Sequence, residues 1–439
     1  FTHIHQCPED LLKKQEMTRK ICGMCGGCVQ RCMGIDMMNA LSSVVKDVDT
    51  KYGTPYYERF LKFLEYFQEN DLVCAGSQTD TKGDRMARPA EQWDPDQYLH
   101  VVERREDGVI VRGCKVHNTM APYADELIVL PTRVMGPGGE GLRHRLCHPR
   151  RYRGRVPDRP RGVLSGARRE PRRPITSAGD IESMTVFDNV FVPNERIFLN
   201  GEVDFAGKLA LRFALYHRHS YTGCKTAVSE VIASQAALVA DVNDIAKESH
   251  VRSKLCDIIQ TAELVFAAGQ QSAYRAVEFP SGQWVPDEIL TNAGRRLAGH
   301  NIYHEYEILA DLTGGVCASL PTEESFYAPE TAELCNKYIR RNPAYTAEET
   351  HRVMRMMEDK LCDAFEGAQA VAGVHGGGSP LMEEITLMSR YNLEELKKIA
   401  KYLAGLPGYE TCPRYERETA TPRAMLAKFD AAKAAAAKK

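Results

Sequence analysis

The stretch YLHVVERREDGVIV, residues 98–111, decides the fold class of this 439-residue chain. Two runs rich in valine flank Arg105-Glu106-Asp107-Gly108, and a turn of this composition between two such runs predicts a β-hairpin. Further strands are predicted at Glu126–Leu130 and at Met184–Val192. Strands therefore fill the middle of the chain.

Helical sequence lies on both sides of these strands. Apolar residues recur at helical spacing through residues 1–70, and three long helical faces follow Phe205. This order predicts an α+β protein with an N-terminal helical domain at 1–70, a central β domain at 71–204, a C-terminal helical bundle at 205–407 and a tail at 408–439. The three faces are lined by Val228, Val231, Ile232, Leu238, Val239, Val242 and Ile245, by Val251, Leu255, Ile258, Ile259, Ala262 and Phe266, and by Val353, Met357, Leu361 and Phe365.

The bulk composition favours a cytoplasmic enzyme. A formal net charge of −2 gives no basis for nucleic-acid binding. Fourteen cysteines in a long chain without a signal peptide are typical of reduced thiols. No apolar run approaches the length of a membrane span, so we expect no membrane contact.

One segment departs from this composition. Met135–Pro174 holds twelve arginines, no lysine, three acidic residues, six prolines and seven glycines. The segment is typical of a disordered basic loop, and a phosphate-binding arm is the functional alternative. A third interpretation is a shifted reading frame, because the segment interrupts a β-rich region and its composition is typical of a GC-rich gene read out of frame.

Four cysteines near the start of the chain predict an iron–sulfur cluster. Cys22, Cys25, Cys28 and Cys32 follow the bacterial cluster spacing, although Met33 stands where a proline is usual. On a helix, Cys28 and Cys32 would project from one face. A small zinc site and unrelated reduced thiols are the alternatives.

A second candidate motif is His217-Arg-His-Ser-Tyr-Thr-Gly-Cys-Lys225. His217 and Cys224 are two helical turns apart, which separates them by about 10 Å along a helix axis. That distance suits a bulky cluster or a helix broken at Gly223. Ordinary packing of both side chains in a bundle is the alternative.

Two glycine-rich stretches and one polar stretch are weaker signals. Thr313-Gly314-Gly315 and His375–Pro380 lie beside helical sequence, where backbone N–H groups can approach phosphate. Neither has the spacing of a nucleotide-binding motif, so a helix stop or tight packing is the favoured explanation of both stretches. Thr79–Arg85 offers mixed polar groups before the strands, and a simple turn is its alternative.

Together these segments resemble the 4-hydroxyphenylacetate 3-hydroxylase family of flavoproteins, and within it the 4-hydroxybutyryl-CoA dehydratase branch. The resemblance covers about 1–134 and 175–406. Its most specific feature is a full set of cluster ligands, which the hydroxylase branch lacks. The matching segments are Phe1–Gln6, Cys28–Ala40, Thr79–Arg85, Val102–Thr119, Val186–Arg196, Tyr216–Lys225 and His375–Pro380.

The resemblance implies an acyl-CoA dehydrogenase-like fold, a homotetramer and two cofactors, FAD and a 4Fe–4S cluster. It implies that the first family helices precede Phe1 and that Cys22 and Cys25 are not ligands. The implied cluster ligands are Cys28, Cys32, His217 and Cys224. The implied catalytic residues are His217, Tyr221, Lys225 and Glu182. The implied cofactor-binding residues are Thr119, Thr79, Lys82, Arg85, Gly314, Gly315, Gly376 and Gly377.

The activity that the resemblance implies is dehydration of 4-hydroxybutyryl-CoA to crotonyl-CoA by a radical route. The family carries an acid three residues before His375, where this chain has Ala372, and this difference opens the narrower activity of vinylacetyl-CoA isomerisation. A flavin-dependent aromatic hydroxylase is the alternative enzyme. A degenerate relative that only binds a cluster or a partner is the non-enzymatic alternative.

Overall fold

The computed structural model describes residues 2–28, 32–84, 86–132, 147–149 and 183–411. In these ranges the protein is mostly helical with small sheets, and the strands stand between two helical regions as predicted. None of the described helices is both long and apolar enough to cross a membrane.

Three helices precede the strands. Pro8 stands in the first turn of the first helix, where a missing N–H costs nothing, and Gly26 ends that helix in a left-handed conformation at φ 74°. Apolar side chains of all three helices join one buried core. The helices are α1 Pro8–Cys25, α2 Cys32–Tyr52 and α3 Tyr56–Glu69.

The predicted hairpin is confirmed by two strands, β2 and β3, which pair antiparallel, with Val101 opposite Val111. Strand β6 pairs antiparallel with the other edge of β3. In the second sheet β4 lies between β1, which is parallel to it, and β5, which is antiparallel. The strands are β1 Cys74–Ser77, β2 His100–Arg104, β3 Gly108–Lys115, β4 Glu126–Val129, β5 Cys147–Pro149 and β6 Thr185–Pro193.

The strand β5 belongs to the arginine-rich segment 135–174, and it pairs with the edge of β4. The rest of that segment lies outside the described residues, so the three interpretations of it stay open. Most of the tail at 408–439 also lies outside them.

The second helical region is built around α4, which runs for 40 residues and packs against α1, α2, α5 and α6. The predicted third face is wrong as a single helix: Asp363 is extended at ψ 144° and separates α8 from α9. A two-stranded ribbon, β7 Val277–Glu278 and β8 Trp284–Val285, joins α5 to α6. The helices are α4 Val203–Val242, α5 Ser249–Tyr274, α6 Glu288–Thr313, α7 Ala332–Tyr338, α8 Ala347–Cys362, α9 Ala364–His375, α10 Pro380–Arg390 and α11 Leu393–Leu403.

A glycine brings the N-terminal helices onto α4. A Cβ atom on Gly223 would lie 2.3 Å from the carbonyl oxygen of Gln15 on α1, so only glycine allows this approach. The sequence alternative of a helix broken at Gly223 is wrong, because α4 continues through it. Gly223 instead sets the distance between the two parts of the chain that carry the cysteine motifs.

Candidate metal and active site

One face of α4 carries the functional side chains of the second motif. His217, Tyr221, Cys224 and Lys225 are spaced by four, seven and eight residues, which places them on the same side of a helix. All four are buried, with exposures of 6%, 5%, 0% and 3%. The face is turned towards α1 and α2, the helices that hold the first cysteine motif.

At one end of this face three thiols meet. The sulfur atoms of Cys22, Cys28 and Cys224 all lie within 4.8 Å of one another. Cys22 and Cys224 are buried with Ala227 in a small apolar cluster. Hydrogen bonds with Cys22 and Cys28, together with burial, raise the pKa of the Cys224 thiol well above its ordinary value. A bound metal ion reverses this preference, because coordination deprotonates a thiol. These three residues are called the thiol group below.

Two helical turns earlier on α4, a second set of ligand atoms meets. Cys32, Asp36 and His217 offer a sulfur, a carboxylate oxygen and a ring nitrogen within 4.8 Å of one another. All three side chains are buried. Burial, followed by the charge of Asp36, raises the pKa of the Cys32 thiol well above its ordinary value. These three residues are called the imidazole group below.

Asp36 is a site residue that the sequence reasoning missed. Its carboxylate accepts hydrogen bonds from His217 Nδ1 at 2.9 Å, from Ser220 Oγ at 2.8 Å and from Lys14 Nζ at 3.0 Å. Burial alone would raise the pKa of Asp36, but the Lys14 ammonium and the hydrogen bond from His217 bring it below its ordinary value. The available signal was a charged residue four positions after Cys32, between the apolar residues Ile35 and Met37.

The neighbouring histidine of the same motif has a different environment. His219 is fully buried, and burial lowers its pKa to about 3, so this ring stays neutral. Its Nε2 lies 3.3 Å from the carbonyl oxygen of Gly269 on α5. Of the two histidines, only His217 lies with the cysteines.

Tyr221 and Lys225 continue the face beyond His217. The Tyr221 ring packs edge-on against the His217 ring at 5.1 Å, and its hydroxyl donates to the carbonyl oxygen of Ala372 at 3.1 Å. Burial raises the pKa of Tyr221 well above its ordinary value, so the hydroxyl stays protonated. The Lys225 ammonium lies 5.5 Å from the centre of the same ring.

A buried acid on α6 stands near Lys225. Glu305 accepts hydrogen bonds from Ser229 Oγ at 2.8 and 2.9 Å. Burial raises its pKa to about 7, although the ammonium groups of Lys225 and Lys360 oppose that rise. Glu305 can therefore hold or release a proton near neutral pH, beside a lysine of the candidate site.

The second glycine-rich stretch closes over this face, as a tight turn after α9. A Cβ atom on Gly376 would lie 1.4 Å from the Tyr221 hydroxyl, and one on Gly377 would lie 3.7 Å from the His217 ring. Arg295, which is fully buried, fixes the turn by donating from Nε and Nη2 to the Gly376 carbonyl oxygen at 3.1 and 2.7 Å. Gly376 and Gly377 thus lie at the site.

The first glycine-rich stretch lies elsewhere. Gly314 ends α6 at φ 70°, both Gly314 and Gly315 are exposed, and a Cβ atom on either would meet nothing within 4 Å. A Cβ atom on either glycine would touch no residue of the thiol group or the imidazole group. The thiol beside Gly314 is that of Cys317, which donates to the Gly314 carbonyl oxygen at 3.5 Å. A helix stop explains Gly314 fully, and flavin binding by this pair stays a prediction.

Three of the other predicted cofactor-binding residues lie by the sheets. Thr79 accepts a backbone hydrogen bond from Val116 at 2.8 Å, three residues before Thr119, and the carbonyl of Lys82 accepts one from the Tyr98 hydroxyl at 3.1 Å. Their predicted role in flavin binding stays a prediction. Arg85 and Glu182 lie outside the described residues.

The prediction that Cys28 and Cys32 share one helix face is wrong. Gly26 ends α1, Cys28 lies in the segment that follows, and Cys32 is the first residue of α2. The two cysteines therefore reach the site from different elements, one in each ligand group. Cys25 belongs to neither of the two ligand groups found among the described residues.

Comparison with known protein families gives a match to one family over most of the chain. The model of the 4-hydroxyphenylacetate 3-hydroxylase N-terminal region matches residues 1–199, and that of the C-terminal region matches residues 206–405. The chain belongs to this family. Among characterised relatives it is 35% identical to the 4-hydroxybutyryl-CoA dehydratase/vinylacetyl-CoA-Δ-isomerase of Clostridium aminobutyricum, over 92% of this chain and 85% of the relative.

The 4-hydroxyphenylacetate 3-hydroxylase family also contains monooxygenases, and these are less similar. The oxygenase component of the 4-hydroxyphenylacetate 3-monooxygenase of Thermus thermophilus is 27% identical, over 79% of this chain and 72% of the relative. An oxygen-tolerant archaeal 4-hydroxybutyryl-CoA dehydratase from N. maritimus superposes with a TM-score of 0.85 at 30% identity, covering 96% of this chain and 86% of that one. The oxygenase component of a 4-hydroxyphenylacetate 3-monooxygenase, solved in complex with FAD, superposes with a TM-score of 0.74 at 24% identity. This superposition covers 92% of this chain and 84% of the oxygenase component.

Proposed function

We propose that this protein dehydrates 4-hydroxybutyryl-CoA to crotonyl-CoA with FAD and one 4Fe–4S cluster. The observation that carries the proposal is the meeting of two distant cysteine motifs on one face of α4, in a chain more similar to a dehydratase than to the monooxygenases of its family. The proposal includes a homotetramer of acyl-CoA dehydrogenase-like subunits, with the domain limits predicted from the sequence.

The residues fit a cluster. Iron–sulfur clusters take thiolate ligands, and a histidine can replace a thiolate. Cys28 and Cys224 in the thiol group, with Cys32 and His217 in the imidazole group, supply three sulfurs and one ring nitrogen. Cys32, His217 and Cys224 are buried, and Cys28 is partly buried. Asp36 accepts a hydrogen bond from His217 Nδ1, so Nε2 is the ring nitrogen that remains available to bind iron.

When bound, the flavin and the cluster supply one-electron chemistry and a Lewis acid for the leaving hydroxyl group. We assign flavin binding to Thr79, Lys82 and Thr119, which lie beside the sheets. We also assign it to Arg85, as the family resemblance implies. The similarity to FAD-dependent oxygenase components supports the choice of flavin.

The protein's own residues bind the substrate and hold protons. His217 has one basic nitrogen, Nε2, because Nδ1 donates to Asp36. We assign Nε2 as a weak iron ligand that would accept a proton only after it has left iron. Tyr221 stays protonated, and we assign its single hydroxyl hydrogen to turn from the Ala372 carbonyl oxygen to an oxygen of the bound substrate. Lys225, beside it, supplies a positive charge, and we assign Glu182 as a further carboxylate.

A second activity, vinylacetyl-CoA isomerisation, is favoured by one observation. Tyr221 donates its hydroxyl hydrogen to the backbone of Ala372, so residue 372 lies at the site, and its side chain is a methyl group where the family carries an acid. A site with one carboxylate fewer has one proton-carrying group fewer, and isomerisation needs only proton removal and return.

Anaerobically purified protein, incubated with 4-hydroxybutyryl-CoA, tests the proposal through the appearance of crotonyl-CoA. A parallel incubation with vinylacetyl-CoA separates the two activities. Crotonyl-CoA from both substrates supports the dehydratase, and crotonyl-CoA from vinylacetyl-CoA alone supports the isomerase. Hydroxylation of 4-hydroxyphenylacetate with reduced flavin and oxygen, without either acyl-CoA activity, would contradict the proposal.

A further inference from the structure

The candidate site holds one thiol more than a four-iron cluster needs. The cluster takes four ligands, and Cys28, Cys32, His217 and Cys224 supply them in the proposed function, on which this inference rests. Cys22 nevertheless has its sulfur within 4.8 Å of both Cys28 and Cys224 and is 1% exposed.

The contacts of Cys22 make it the partner that can donate. Its side chain makes a hydrogen bond with Cys224, and its sulfur also lies within 4.8 Å of that of Cys28. A cysteine bound to iron would carry no hydrogen on its sulfur, so Cys28 and Cys224 could only accept. Cys22 binds no iron in the proposed ligand set and keeps the hydrogen that such a bond needs.

We propose that Cys22 donates an S–H···S hydrogen bond to the iron-bound thiolate of Cys224 and thereby raises the reduction potential of the cluster. Hydrogen bonds to the sulfurs of a cluster are among the factors that set its potential. A donor at the thiolate withdraws negative charge from the cluster, and this stabilises the more negative, reduced form. Cys22 touches a ligand and not the reacting atoms, so it is a positioning residue.

Two variants at this position and one matched control test the proposal. Cys22→Ala removes the donor, and Cys22→Ser keeps a hydrogen-bond donor of similar size. Cys25→Ala, in the same turn of α1, removes a thiol that belongs to neither ligand group. The measurements are iron per chain, far-UV circular dichroism, and the midpoint potential of the cluster in an anaerobic titration followed by electron paramagnetic resonance.

We expect all three variants to keep the iron content of the wild type. The potential should become more negative in Cys22→Ala, fall between the two in Cys22→Ser and stay unchanged in Cys25→Ala. If Cys22→Ala does not fold, the test uses the midpoint potentials of the other three proteins. The potential of Cys22→Ser should then be more negative than those of the wild type and of Cys25→Ala.

Two results would overturn the inference. An unchanged potential in Cys22→Ala, or in Cys22→Ser where that variant carries the test, would reduce Cys22 to packing. Loss of iron from Cys22→Ala with retention in Cys28→Ala would make Cys22 a ligand. The wild type distinguishes these failures from failure of the proposed function: wild-type protein that holds a cluster and forms crotonyl-CoA leaves only the role of Cys22 in error, whereas wild-type protein without iron removes both.

Discussion

The thiol group and the imidazole group each take one residue from α4, Cys224 and His217, two helical turns apart, and the two groups differ in charge. Cys224 makes hydrogen bonds with Cys22 and with Cys28 in an apolar setting. In the imidazole group, Asp36 is a buried carboxylate that accepts from His217, from Ser220 and from Lys14. The first environment suits a soft metal ligand, and the second fixes the orientation of a ring that can carry a proton. Cluster retention should therefore depend on the ligand cysteines of both groups, and proton transfer on His217 of the imidazole group.

The largest effect should come from the thiol group. We expect Cys28→Ala to lose iron and dehydratase activity together, because the removed thiolate is a ligand of the proposed cluster. Iron analysis and the crotonyl-CoA assay on one anaerobic preparation measure both losses. Unchanged iron content would show that Cys22 or Cys25 is the ligand instead.

Exchange of one ligand in the imidazole group should separate iron binding from proton transfer. In His217→Cys a thiolate can still bind iron, but it does not replace the imidazole as proton acceptor. We expect iron content near that of the wild type and a loss of dehydration of about 10²–10⁴-fold, the usual contribution of a positioned acid or base. Turnover at the wild-type rate would refute the assigned role of His217.

Removing the charge of Asp36 should have a smaller effect on turnover. Asp36→Asn keeps the shape of the side chain, and we expect activity to fall about 10–100-fold, as for other groups that orient a metal-bound histidine. The variant should also lose about 3–5 kcal/mol of unfolding free energy in urea, because Lys14 is left buried without its partner.

Ser220→Ala is the control for Asp36→Asn, since it removes one hydrogen bond to Asp36 and keeps the carboxylate. We expect this variant to lose about 1 kcal/mol and to keep most of its activity. Equal activity losses in the two variants would contradict a special role for the charge.

Substitution of Glu305, a buried acid outside both groups, should have the smallest effect, a change in how stability depends on pH. The pKa of Glu305 is raised to about 7 from an ordinary value of 4.5, so the folded state binds the proton more tightly than the unfolded state. Its contribution to stability is present below about pH 4.5 and is lost as pH rises to about 7, by up to ~3 kcal/mol. Glu305→Gln should remove this part of the pH dependence in urea unfolding. If the unfolding free energy of the wild type and of Glu305→Gln changed with pH in parallel, the raised pKa of Glu305 would be contradicted.

The sequence predicted the fold correctly where the pattern of residues within a single element was sufficient. The hairpin at 98–111 and the long helix after Phe205 were confirmed because residue composition and periodicity decide such elements without distant contacts. Asp363 was missed because the apolar spacing runs across the break between α8 and α9.

The site could be predicted only in part, because its partners are remote in sequence. The ligand residues lie in recognisable motifs, but Cys22 meets Cys224 only where α1 packs on α4 at Gly223. Asp36 meets His217 only where α2 packs on α4. The two glycine-rich stretches look alike in sequence but differ in position. The stretch at Gly376 covers Tyr221, whereas the stretch at Gly314 ends α6.

The most direct test of the account is the cofactor content of anaerobically purified wild-type protein, by iron analysis and by the visible spectrum. One cluster shared by the two cysteine motifs predicts about four irons per chain, together with one FAD. Flavin with no iron would mean that these thiols and His217 do not form a cluster site, and the proposed dehydratase would be contradicted.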